Sequence, residues 1–295
     1  MRTAPALSLD VFKTVALAMS LPPPPVTAPS PHRPSLGLIG AGAFGQFMVP
    51  FLRNRFRVVL ADRRPDLTDI ADRLAVEAGT FVEAARQPVV VVAVPVQAME
   101  TVVGTIAPHV SPGALVLDVG SVKVKPAQLL SRLLPAHADI VCTHPLFGPQ
   151  SARHGIEGMK ISICAVRGRR SGLVARFCRR HLGLVAIETT PERHDRELAY
   201  VQGITHLIGK TLLGLELDNF EQTTVSYDLL RRAVGFIADD SAELFRAIEL
   251  ENPYALEART AFFDAVRRVE TALHGADGEA GTTSRSTASP KIPSP

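Results

Sequence analysis

The segment 36-LGLIGAGAFG-45 constrains the fold of this chain more than any other stretch. A short aliphatic run ends in Gly40, Gly42 and Gly45, spaced G-x-G-x-x-G, and a helix-forming run follows. Gly40 permits a tight strand-to-helix turn, Gly42 lets backbone approach a ligand, and Gly45 lets the helix close on the sheet. The free N–H groups where that helix begins, around Ala43 and Phe44, suit a pyrophosphate. An acid, Asp62, ends the next aliphatic run, 57-RVVLAD-62, at the place where a dinucleotide-binding fold holds the adenosine ribose. Asp62 repels a 2′-phosphate and so favours NAD over NADP. Arg63 and Arg64, which follow at once, either clamp such a phosphate or lie solvated on a loop.

The rest of the chain fits that start. Strands are expected at 36–40, 57–62, 89–95, 115–120, 140–145, 160–166 and 184–189. Near-continuous apolar strands separated by helices indicate a largely parallel sheet covered on both faces. Past residue 190 strands vanish. Thr190, Pro191 and Glu192 form a helix start signal, and helices are expected over 193–215, 226–238, 240–250 and 253–273. The expected fold is α/β: a Rossmann-type, mostly parallel sheet domain over 35–190, followed by an all-α domain over 191–274. Ligands of such sheets bind outside the carboxyl ends of the strands.

Residues 1–34 are expected to be a disordered, proline-rich segment, with 21-LPPPPVTAPSPHRP-34 at its end. The stretch 11-VFKTVALAMSL-21 has one basic and no acidic residue, which leaves a plastid-targeting peptide as the alternative to a cytoplasmic protein. Residues 275–295 are small, polar and aperiodic and are expected to be a disordered tail.

Composition narrows the function classes. The longest apolar run, 89-VVVVAVPV-96, is too short to cross a bilayer, so a soluble protein with no membrane partner is expected. A net charge of +3 and scattered basic pairs give no nucleic-acid footprint. Cys142, Cys164 and Cys178 have no metal-type spacing and are read as small buried hydrophobes, with no metal expected.

Two strand ends carry the candidate chemistry. After 115-LVLDVG-120 come Ser121 and Lys123, and after 139-DIVCT-143 comes His144, punctuated by 145-PLFGP-149. A histidine held there can take an alcohol proton near neutral pH, and a nearby serine can orient its ring. Lys123 reads equally as solvated or functional. Gln202 and His206 lie four residues apart on one helix face, and by spacing alone a polar pair buried between helices is the simpler reading.

The motifs 117-LDVGSVK-123, 143-THPLFGP-149, 194-HD-195 and 200-YVQGITH-206, in that order, resemble the prephenate and arogenate dehydrogenases of tyrosine biosynthesis. The resemblance covers about residues 35–274, and 240-DSAELFRAIELENPYALE-257 is most similar to plant-type members. It implies NAD(P)-dependent oxidative decarboxylation, with His144 taking the ring-hydroxyl proton, Ser121 supporting His144, and Gln202 and His206 lining the substrate pocket. Lys123 belongs to the same motif. Arg231 is nominated for the side-chain carboxylate, although a double arginine on an amphipathic helix also reads as a solvated face. Gln150 stands where many members have an acid, so the ion-pair network expected there is missing or rebuilt.

Prephenate and arogenate differ in a keto against an amino group. A carboxylate such as Asp195 or Glu197 near that group would favour the amine, and the reading leans to prephenate. The resemblance also implies a homodimer through the helical domain, whose wide apolar stripe at 253–273 needs a partner. No mutase-like segment precedes the matched core, so a bifunctional enzyme is not expected. Two other readings stay open: a β-hydroxyacid-type dehydrogenase centred on a helical lysine, for which only Lys210 is placed, and a non-catalytic NAD-binding sensor.

Overall fold

A computed structural model describes residues 33–215 and 220–282, the side chains of 275–282 excepted. Its first part is an eight-stranded sheet, order β3-β2-β1-β4-β5-β6-β7-β8. The strands are β1 (Ser35–Ile39), β2 (Arg57–Ala61), β3 (Glu77–Ala78), β4 (Val89–Val92), β5 (Leu115–Asp118), β6 (Asp139–Pro145), β7 (Lys160–Arg167) and β8 (Val185–Thr189). Every pairing is parallel except β6 with β7. The expected strands all form. The sequence reading missed β3, whose two residues carry no apolar pattern.

Helices cover both faces, as the aliphatic strands require. On one face lie α1 (Ala43–Leu52) and α2 (Leu67–Leu74), and on the other α3 (Phe81–Ala85), α4 (Val96–Ile106) and α5 (Val124–Leu133). The helix α6 (Ser171–His181) joins the α1 face, where Val174, Ala175 and Cys178 pack on Val141, Ile161 and Ile163. Alternation within a strand assigns the faces. Leu36 and Leu38 of β1 point toward α1 and α2, while Ile39 joins the core under α4.

All later elements are helical. A continuous rod begins with α7 (Pro191–Leu198), passes through a π-helical turn at Ala199–Gly203, and continues as α8 (Ile204–Gly214). Thr190 caps it by accepting a bond from Arg193 N–H, with Pro191 in the first turn. Next come α9 (Val225–Gly235), α10 (Ala242–Arg246) with a second π turn at Ala247–Glu251, and α11 (Ala255–Thr282). The sequence patterns did not signal the π turns, because apolar periodicity barely registers one inserted residue. The last helix reaches Thr282 instead of stopping near residue 274, so the start of the expected tail is helical. A long helix extends cheaply once nucleated, and no proline interrupts it before Pro290. The other tail calls, at 1–32 and 283–295, lie outside the described residues. Among the described residues no helix is long and apolar enough to cross a membrane.

One close approach has a direct consequence for stability. A Cβ added at Gly37 would lie 2.0 Å from the Ala84 carbonyl oxygen in α3. Backbone cannot yield there as a flexible side chain would, so Gly37→Ala should cost at least about 1–3 kcal/mol, the usual penalty for overpacking. Urea unfolding of the variant measures it, and an unchanged midpoint would show that α3 can slide.

Candidate active site

The glycine loop has the geometry its spacing implies. Gly40 has φ +118°, and a Cβ on it would sit 2.3 Å from the Ala93 carbonyl oxygen. A Cβ on Gly45 would sit 2.1 Å from the Gly40 carbonyl oxygen, which is the close helix–strand packing expected of the third glycine. Nothing lies within 4 Å of a Cβ on Gly42, so the loop is open at that point. No side chain caps α1, and its first N–H groups are free to meet an anion. Ala43 is exposed, whereas the Phe44 ring packs against Phe47 and Phe147. Only the backbone of Phe44 is therefore available to a phosphate, and its ring ties the glycine loop to the loop that follows His144.

Asp62 lies beside this loop. Its Oδ2 accepts a bond from Ala41 N–H at 2.6 Å and its Oδ1 one from Arg64 N–H at 3.1 Å. The Arg64 guanidinium makes a two-pronged pair with Asp66, at 2.9 and 2.8 Å, and Arg63 is exposed. A 2′-phosphate would thus meet Asp62 first and recruit Arg64 only by breaking its pair.

The other half of the site is built where β6 outruns β5. Pairing of β5 with β6 ends at Asp118 with Cys142, whereas pairing of β6 with β7 continues through Thr143, His144 and Pro145. His144 therefore stands on an overhang whose β5 side is filled by the turn 119-VGSVK-123. Half-buried Ser121 belongs to this turn, as expected. Burial, then neighbouring His194, then the Lys123 ammonium hold the His144 imidazole well below its usual pKa. It is a neutral ring at physiological pH and can accept a proton.

Lys123 occupies a post different from the one expected. Its side chain is fully buried and its ammonium bonds the Asp118 carboxylate and, at 2.6 Å, the Thr143 carbonyl. Thr143 Oγ1 donates in turn to the Asp118 carbonyl at 2.6 Å. With every polar contact directed into protein, Lys123 is a strut between β5 and β6 and cannot also line a substrate pocket.

Sequence reasoning gave His194 no role and weighed Asp195 only as a specificity group. The structure buries both. His144 Nδ1 lies 2.9 Å from His194 Nε2, and His194 Nδ1 lies 2.8 Å from Asp195 Oδ1. Asp195 also accepts bonds from Lys123 N–H at 2.7 Å and Val124 N–H at 2.8 Å, so it caps the start of α5. Asn252 donates to the Asp195 carbonyl at 2.7 Å. The adjacent pair 194-HD-195 was the available signal, but its partners are fifty or more residues away.

The remaining nominees lie further along the helical part. Gln202 is half-buried in the first π turn. His206 is buried, with Nδ1 2.9 Å from the Gln202 carbonyl oxygen and Nε2 3.0 Å from Asp240 Oδ2. Both nitrogens therefore face protein acceptors. Lys210 Nζ is 3.4 Å from the Asp240 carbonyl oxygen, far from the role of a central base. Arg231 lies on the exposed face of α9. Gln150 donates to Asp239 at 2.8 Å, so the network that an acid would serve is rebuilt as an amide–carboxylate bond. Buried Glu249 pairs with Arg259 at 3.0 Å, leaves Oε1 unpartnered, and has its pKa raised by burial. The three cysteines are buried as expected, and burial pushes the Cys164 thiol up to about 12 and Cys178 to about 11.

The strut makes a direct prediction. Lys123→Met strands a buried Asp118 charge and should destabilise the fold by roughly 3–5 kcal/mol. A shift below about 1 kcal/mol in chemical unfolding would show that Lys123 is not structural.

Comparison with known proteins agrees with this architecture. The family model of the prephenate dehydrogenase nucleotide-binding domain matches residues 51–161. Arogenate dehydrogenase 1, chloroplastic, of Arabidopsis thaliana is 30% identical over 253 residues, covering 82% of this chain and 40% of the relative. A probable arogenate/prephenate dehydrogenase of Methanocaldococcus jannaschii is 28% identical over 254 residues, covering 81% of this chain and 56% of the relative. The chain thus spans about half the length of these two relatives. Two solved structures share the fold. Prephenate dehydrogenase from A. aeolicus, crystallised with hydroxyphenyl propionate and NAD+, has TM-score 0.67 at 20% identity and covers 85% of this chain and 94% of that one. Synechocystis arogenate dehydrogenase has TM-score 0.61 at 18% identity and covers 82% and 93%. With the glycine loop, the histidine-bearing overhang and these matches in agreement, the chain belongs to the prephenate and arogenate dehydrogenase family.

Proposed function

We propose that the protein catalyses NAD-dependent oxidative decarboxylation of prephenate or arogenate, to 4-hydroxyphenylpyruvate or tyrosine respectively. The observation that carries this reading is His144. It is a buried, neutral imidazole at the carboxyl end of the sheet, with Nδ1 bonded to His194 and Nε2 without a hydrogen-bond partner among the described residues. The residues of the first βαβ unit fit the dinucleotide: open Gly42, the uncapped start of α1 at Ala43 and Phe44, and Asp62 with Arg63 beside it. When bound, the nicotinamide accepts the hydride that leaves the hydroxyl-bearing ring carbon. His144 removes the hydroxyl proton as that carbon is oxidised, and the ring carboxylate departs as CO₂. Its electron pair aromatises the ring, and the phenolic oxygen recovers a proton from the imidazolium. Aromatisation supplies the driving force, so the chain mainly aligns the groups and handles one proton. Ser121, in the turn beside the overhang, supports the site from the β5 side. Gln202 meets the substrate from the helical side, and His206, with both ring nitrogens on protein acceptors, braces Gln202 from behind.

Prephenate is the substrate we name first. Asp195 is consumed by two backbone N–H groups and His194, and Glu197 is paired with Arg193. Neither carboxylate weighed for the amine of arogenate is free to meet it. The helical part over 191–274 is also read as a dimerisation domain. On α11, Phe262, Val266, Val269 and Leu273 follow a 4-3-4 spacing and line one groove, three of them exposed. That seam suits the same helix of a second copy. Cytoplasm is the proposed compartment, or a plastid if residues 1–32 address the chain there.

Steady-state kinetics on both substrates with both cofactors tests the reading. NADH absorbance with accompanying CO₂, and a higher kcat/KM with NAD than with NADP, is the expected result. His144→Asn should keep the fold and NAD affinity and lose at least about 10² in kcat. A loss under threefold would exclude His144 as the base, and NAD binding without turnover would favour a sensor. Light scattering of the purified protein should give twice the chain mass; a single-chain mass removes the dimer.

A further inference from the structure

With both imidazoles neutral, the hydrogen-bond chain behind His144 has one electrostatically consistent order. Asp195 Oδ1 and Oδ2 receive the Lys123 and Val124 N–H groups, so this carboxylate is held as an acceptor. His194 Nδ1, 2.8 Å from Oδ1, must carry a hydrogen; a lone pair there would face a buried anion. A neutral His194 then has its lone pair on Nε2, which lies 2.9 Å from His144 Nδ1. Two lone pairs at that distance would repel, so His144 Nδ1 carries a hydrogen and donates it. In a neutral ring this leaves the lone pair of His144 on Nε2.

We infer that Asp195 and His194 are positioning residues that lock His144 in the Nδ1–H form, so that Nε2 is the nitrogen that takes the substrate proton. The identity of the proton donor rests on the proposed function, whereas the tautomer belongs to the free protein. A solvated imidazole prefers hydrogen on Nε2, the form that cannot act as base toward a group meeting Nε2. The lock therefore keeps the base in its otherwise minor form. It also prepares the protonated state. Once Nε2 gains the proton, the Nδ1–H bond to His194 strengthens, and Asp195 polarises that donor chain from behind. The Lys123 ammonium opposes the protonated ring, and its buried pair with Asp118 offsets part of that opposition.

Two measurements on the full chain test the inference. Long-range ¹⁵N–¹H correlation of histidine-labelled protein, with the His144 signals assigned by their loss in His144→Asn, reports the tautomer without any substrate. A protonated Nδ1 and an unprotonated Nε2 are expected, and hydrogen on Nε2 overturns the proposal. In His194→Ala the His144 signals should move to the Nε2–H form, and kcat should fall at least about tenfold while KM and the NAD Kd stay within threefold. Should that variant fail to fold, His194→Phe keeps a buried ring of similar size without a hydrogen-bond acceptor and serves the same comparison. Retained kcat, or parallel changes in kcat, KM and Kd, marks His194 as merely structural and overturns the inference. If the wild-type chain turns over neither substrate, the functional reading fails while the spectrum still decides the tautomer.

Discussion

The buried pair between Lys123 and Asp118 is the contact on which the rest of the site depends. Its ammonium joins the last residue of β5 to the Thr143 carbonyl, one residue before His144. The backbone of the same lysine is held by Asp195 from the helical part. One residue thereby fixes the separation of two strand ends and the seat of α7 on both. Compared with an apolar equivalent, a buried pair of this kind adds little net stability. Its contribution is positional, because each group has one acceptable location once every other polar contact is protein.

That position matters because of how the sheet ends. Parallel strands present their carboxyl ends on one edge, and there β1 and β2 deliver the glycine loop and Asp62 while β5 and β6 deliver Ser121 and His144. The antiparallel β7 extends the support of β6 beyond β5. A histidine on an ordinary loop would wander over several rotamers. On a strand held from one side by β7 and from the other by the Lys123 strut, it has little freedom. Contact between Phe44 and Phe147 then packs the start of α1 against the loop after His144, so the two halves of the edge touch.

The sequence exposed what repeats or punctuates and hid what pairs at a distance. Strands of four or more residues, the helical region and the glycine turn were legible, since periodicity and glycine stereochemistry are local properties. The two-residue β3, the π turns and the length of α11 were not, because each departs from local pattern by only a few residues. At the site, His144 stood out through its prolines and its place after a strand. Lys123 misled, since a lysine beside a serine turn looks the same in sequence whether it meets a ligand or a buried carboxylate at the end of the preceding strand. His194 was visible as a motif but silent as to role: its partner is fifty residues distant, and nothing in 194-HD-195 tells which ring it will touch.

In the proposed function the sheet supplies the base and the helices orient it, which ties that chemistry to the packing of the two parts. His144 belongs to β6, but the groups behind it, His194 and Asp195, belong to α7, and Asn252 holds α7 from the segment before α11. Apolar contact at this junction is small, with Val96, Val122 and Ala247 forming a separate minor cluster. The polar chain therefore carries much of the registration between the parts. Polar chains tolerate little displacement, because bonds near 2.8 Å weaken steeply as geometry departs from linear. A shift of the helices by about one ångström would leave the sheet folded and the glycine loop intact, yet would release the ring proposed to accept the proton. Catalytic competence is thus a more sensitive reporter of how the helices are seated than either stability or nucleotide binding.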